Sequence, residues 1–83
     1  MTMKINLHYD RLTGKSINAE KYKDGSQVEV PANCTVHDLL SLLETPKDRR
    51  ASILVHVNDE PAWNITILKD NDSIKLLLMV GGG

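Results

Sequence analysis

Residues 3–9 alternate, with Met3, Ile5, Leu7 and Tyr9 on one side and Lys4, Asn6 and His8 on the other. That period of two predicts a half-buried strand. Residues 10–25 are polar and carry Gly14 and Gly25, which predicts a long connection with room for extra strand between Lys15 and Lys23. Residues 26–31 predict a second strand, Val28 and Val30 inward, Gln27 and Glu29 outward. Thr35 and Asp38 then form a capping-box pattern. Val36, Leu39, Leu40 and Leu43 follow at helical spacing, making one apolar stripe. Pro46 closes that helix near Glu44. Residues 53–58 predict a third strand with Ile53, Val55 and Val57 on one face. Asp59-Glu60-Pro61 reads as a turn, followed by a short strand around 62–64 or 65–68. Asp70-Asn71-Asp72 is a turn whose residues tolerate left-handed backbone, and residues 73–80 predict the last strand.

The order is therefore ββαββ. It predicts an α+β domain of the β-grasp, or ubiquitin-like, class: a mixed sheet with one helix packed on one face. The domain spans 1–80, with a flexible glycine tail at 81–83. The last strand is apolar on both faces, Ile74, Leu76, Leu78 and Val80 on one and Leu77 and Met79 on the other. In a β-grasp that strand is central and parallel to the first. Its helix face is covered and its other face is not, and an uncovered apolar strip on a small protein marks a partner surface. The predicted partner-binding set is Leu77, Met79, Val80, Gly81, Leu54 and His56.

Composition narrows the function. The chain has 83 residues, 10 basic and 11 acidic side chains, and a formal charge of −1. That balance argues against a partner bound by phosphate neutralisation, whether nucleic acid or anionic membrane. No apolar run approaches the ~20 residues of a membrane span, and the opening residues alternate rather than forming a signal core. One cysteine, Cys34, excludes an intramolecular disulfide. The expectation is a cytoplasmic protein. His8, His37 and His56 lie on separate elements without ligand spacing, so no metal site is predicted. No nucleophile–base pair appears. Cys34 reads as a small turn residue, Arg49-Arg50 as a solvated turn, and Trp63 as an anchor at the edge of the core.

The remaining chemistry is at the C-terminus, where Ile74–Val80 runs straight into Gly81-Gly82-Gly83. Glycine adopts backbone angles closed to other residues and fits slots too narrow for a side chain. Three extended residues reach roughly 10 Å, enough to place a carboxylate inside another protein's active site.

Four segments together resemble the ThiS/MoaD-like sulfur-carrier family: "RLTGK" (11–15), "VPANCTVHDLL" (30–40), "VHVNDE" (55–60) and "LKDNDSIKLLLMVGGG" (68–83). Asp59 and Asn71 stand where the family usually has glycine, and Leu78-Met79 where the MoaD branch often has prolines. The long first connection resembles MoaD; the Val80–Gly83 ending resembles ThiS. The resemblance implies a protein cosubstrate rather than an enzyme, free or as the small subunit of a synthase. Its site would be Gly83, with Gly82, adenylated by an E1-like adenylyltransferase that uses ATP and converted to a thiocarboxylate. The carrier itself would bind no cofactor or metal. The implied acceptor is a molybdopterin (or tungsten-pterin) synthase large subunit, favoured by "RLTGK" and the long connection, or a thiazole synthase of thiamine biosynthesis. A ubiquitin-like protein modifier and a non-covalent β-grasp interaction module remain open.

Overall fold

The computed structural model describes residues 1–79. Five strands form one sheet in the order β2-β1-β5-β3-β4. They are β1 (Thr2–Tyr9), β2 (Gln27–Pro31), β3 (Ile53–Val57), β4 (Glu60–Ala62) and β5 (Ser73–Leu78). β1 pairs antiparallel with β2 and parallel with β5, and β5 pairs antiparallel with β3. The predicted ββαββ frame and the central, parallel placement of the last strand are both present. The short strand expected around 62–64 or 65–68 is β4, which lies earlier, at Glu60–Ala62.

The packed helix is α2 (Val36–Leu42). Thr35 caps it through a reciprocal box: the Asp38 N–H donates to the Thr35 hydroxyl at 3.2 Å and the Thr35 N–H to the Asp38 carboxylate at 3.1 Å. Hydrogen bonding to the carboxylate, first from the Thr35 N–H and then from its side chain, holds the Asp38 carboxyl below its ordinary value. Glu44, at φ 61, ends the helix before Pro46 can act. The predicted stripe Val36, Leu39, Leu40 and Leu43 is fully buried against Ile5, Leu7, Ile74 and Leu76. Each apolar side chain so buried contributes about 1.5–3 kcal/mol.

Several expectations are corrected. The 15–23 segment holds no strand; α1 (Arg11–Gly14) and successive turns occupy the connection instead. Asp10 caps α1 by accepting from the Thr13 N–H, so the chain turns into a helix before a strand can form. The 59–61 turn is displaced by one residue. Asn58 (φ 53) and Asp59 (φ 69) are the two turn residues of a hairpin, and Glu60 already belongs to β4. Two consecutive positive-φ residues match the twist of paired strands, which is why Asn-Asp serves where glycine is common. Asn71 (φ 67) takes the expected left-handed turn position. Arg49 and Arg50 lie in a short helix, α3 (Lys47–Arg50), with the Arg50 Nε donating to the Thr45 carbonyl at 3.1 Å. Trp63 anchors nothing: it is 73% exposed, because the chain leaves the sheet at Ala62 and its N–H turns to the Thr66 hydroxyl. No described helix is long and apolar enough to cross a membrane.

Candidate functional site: the exit of the central strand and its open face

β5 alternates by face. Ile74 and Leu76 have no exposed surface, packed under α2, while Lys75 points to the open side. On that open side the register puts Leu77 beside Leu54, and Lys75 between His8 and His56. Leu54 is 44% exposed and Met79 52%. A small apolar strip thus lies alongside a row bearing one fixed positive charge and two imidazoles. His56 Nδ1 is buried without a hydrogen-bond partner among the described residues. Sequence reasoning assigned Leu77, Met79, Leu54 and His56 to this face, and the structure brings them together. Val80, Gly81, Gly82 and Gly83, the rest of the predicted set, lie outside the described residues.

The end of β5 is tied on both edges. β1 stops at Tyr9, so Leu78 has no strand partner on that side; its N–H donates instead to Thr13 Oγ1 at 2.9 Å. On the other edge the Met79 N–H donates to the Ser52 carbonyl at 2.6 Å. Thr13 is completely buried, and hydrogen bonds from its side chain and N–H hold the Asp10 carboxyl below the ordinary 3.8. The ionised Asp10 therefore supports the folded state above the ordinary carboxylate pKa, and that support is lost as pH falls through the lower folded value. Gly14 is required beside it, because a Cβ there would sit 2.9 Å from the Tyr9 ring. That ring is fixed by its hydroxyl, which donates to the Tyr22 carbonyl at 2.6 Å. The "LTG" of residues 12–14 thus has a physical role: it ends β1, packs under Tyr9 and holds β5 at its exit.

Sequence analysis missed Thr13, Ser52 and Lys15 as site residues. The only available signal was an apolar-flanked threonine in a polar connection, and its partner lies 65 residues away. Lys15 and Arg49, with Leu12 and Pro46, line a cleft of about 250 Å³ against Leu78. Replacing Thr13 by Val should leave the Leu78 amide unpaired. The expected cost is about 1–3 kcal/mol of stability, read in urea melts, with faster hydrogen exchange at the Leu78 amide.

The other candidates contribute no chemistry here. Cys34 is buried with its thiol bonded to the Thr35 carbonyl, and burial, reinforced by Asp38, pushes the thiol pKa up, so its reactive thiolate is disfavoured. Among the described residues no cluster of potential ligands could hold a metal ion.

These features define a ubiquitin-like β-grasp protein with a central parallel strand leading to its C-terminus. The ThiS family model matches residues 11–83, and the chain belongs to the ThiS family. The Haloferax volcanii HVO 2177 protein superposes with TM-score 0.74 at 19% identity, over 99% of this chain and 88% of that one. A Pyrococcus furiosus protein provisionally assigned as molybdopterin converting factor, subunit 1, gives 0.70 at 17% identity, over 94% and 99%. The small archaeal modifier protein 1 of H. volcanii gives 0.70 at 18% identity, over 94% and 99%. No curated protein matches the chain.

Proposed function

We propose that the protein is a sulfur carrier whose reactive group is the Gly83 carboxylate. The observation that carries this reading is the family match through the glycine ending, on a fold whose central strand is pinned at Leu78 and Met79 immediately before it. A carboxylate is a poor electrophile. In the proposed sequence its oxygen attacks the α-phosphorus of ATP on an E1-like partner, pyrophosphate leaves, and an acyl adenylate forms. A sulfur nucleophile then attacks the carbonyl and AMP departs. Where the donor is a persulfide, a second thiol reduces the acyl disulfide, and a thiocarboxylate results. The carrier supplies no acid, base, metal or cofactor to these steps; the partner binds the ATP. The glycines permit entry into the partner's site, and Gly82 is the residue next to the reacting carbonyl.

The docking surface on this reading is Leu54, Leu77 and Met79 with His56, continuing through Val80 and Gly81. Lys75 on this face, and Lys15 and Arg49 beside Leu78, favour a partner with an acidic rim. The acceptor is the large subunit of a molybdopterin-type synthase, a choice supported by the long connection with "RLTGK" and by likeness to the P. furiosus protein; thiazole synthase is the alternative acceptor. A second reading, conjugation of Gly83 to lysine amines, is supported by likeness to the small archaeal modifier protein. Mass spectrometry decides among them. The carrier reading predicts a species with one terminal oxygen replaced by sulfur after co-expression with the activating enzyme. Unmodified carboxylate alone, with enzyme, ATP and sulfur donor present, overturns it, and isopeptide-linked Gly83 in lysates selects the modifier. Leu77→Glu or Met79→Glu should weaken activating-enzyme binding by about tenfold or more in calorimetry, while the thermal midpoint stays close to that of the parent.

A further inference from the structure

The second edge of β3 is paired only along part of its length. Met79 donates to Ser52 and Asn58 donates to the Ser73 carbonyl, so even-numbered β3 residues face β5. The odd-numbered ones, 53, 55 and 57, therefore face β4. Val55 and Val57 pair with Ala62 and Glu60. Ile53 would pair with Asn64, but the Trp63 N–H has turned to Thr66 and the Asn64 carbonyl accepts from the His37 N–H. Among the described residues no backbone partner reaches Ile53. A cleft of about 570 Å³ opens at this point, with His37, Lys47, Arg50, Leu54 and Trp63 around Ile53. Its lining includes two fixed cations and an imidazole but no carboxylate. Trp63 stands 73% exposed at its rim, although nothing in the fold requires an aromatic there.

We infer that this cleft binds an extended acidic peptide segment of a partner protein, which adds to the open edge of β3 at Ile53. Backbone pairing supplies the anchor, as in strand-addition recognition. An apolar side chain of the segment packs between Trp63 and Leu54, and flanking carboxylates meet Lys47, Arg50 and His37. A second copy of this chain is disfavoured as occupant, because its own edge would bring a like-charged rim into the cleft. This site shares Leu54 with the docking surface proposed above but takes no part in the C-terminal chemistry, and its test does not depend on the sulfur-carrier reading.

The probe is a blocked octapeptide, DDEIVVEE, titrated into the full-length 15N-labelled protein. Trp63 is the sole tryptophan, so its fluorescence reports binding independently. The expected result is saturable shifts at Ile53, Ala51, His37 and the Trp63 indole N–H, slowed hydrogen exchange at the Ile53 amide, and weaker binding at high salt. Lys47→Glu and Trp63→Ala, both at exposed side chains, should each weaken binding by about tenfold with the rest of the spectrum unchanged. A variant lacking Gly82 and Gly83 should bind the peptide as the parent does. Absence of saturation, unchanged exchange at Ile53, equal binding of the charge-reversed KKKIVVKK, or the same shifts produced by protein concentration alone would each overturn the proposal.

Discussion

Removing Gly82 and Gly83 should abolish sulfur loading entirely while leaving the thermal midpoint unchanged within about 1 °C, a shift far smaller than a 1 kcal/mol change would cause. The two halves of this result have separate causes. On the proposed mechanism the acyl adenylate forms at Gly83, and a chain shortened by two residues retracts its carboxylate by roughly 7 Å. Reacting atoms must approach to about 3–3.5 Å, so such a displacement is not partially tolerated. Stability is expected to hold because the core and the two bonds that end β5 all lie at or before Met79. The check is mass spectrometry of the co-expressed product, paired with a thermal melt. Full loading of the shortened chain would remove the terminal carboxylate of Gly83 from the mechanism.

Leu76→Ala should produce the opposite pattern, a loss of about 2–5 kcal/mol in stability. Leu76 has no exposed surface, and its strand is paired at Tyr9 on one side and Val55 on the other. Truncation there removes transfer energy and leaves a cavity that a central strand, held on both edges, cannot collapse to fill. A domain of this size has a total stability on the order of 5–15 kcal/mol, so the variant should unfold at much lower urea with an unchanged slope. The contrast with Leu77→Glu, one residue away, is the informative comparison. The two side chains lie on opposite faces of one strand, so one change should register in folding and the other in partner binding. If both unfold the protein, the open face is part of the core's support and not a docking surface.

The sheet's main strands and the helix were legible because their signals are local. Alternation in residues 3–9, the Thr35–Asp38 box and the Val36–Leu43 stripe each encode an element within a few neighbouring residues, and burial follows from the period. The facing of Leu77 and Leu54 was legible for the same reason, since residues of one parity share a face. The errors are equally physical. Trp63 was placed at the core from its type, yet whether a tryptophan finds a wall to pack on depends on where the neighbouring strand ends. Residues 15–23 carry mixed polar and apolar positions without a firm period, and the competition was decided by Asp10 capping a turn and by Thr13 reaching Leu78.

By itself, the order of residues determined the β-grasp class, the buried stripe, the left-handed turn position at Asn71 and the glycine ending, all of which rest on short-range periodicity and side-chain stereochemistry. Tertiary structure alone decided that Thr13 and Ser52 hold the exit of β5, that Ile53, paired with Leu78 on one side, has no β4 partner on the other, and that Lys47, Arg50 and His37 converge beside Trp63. Those arrangements depend on where strands terminate and on which distant backbone groups are then left to find partners, a matter of chain geometry that no local pattern records.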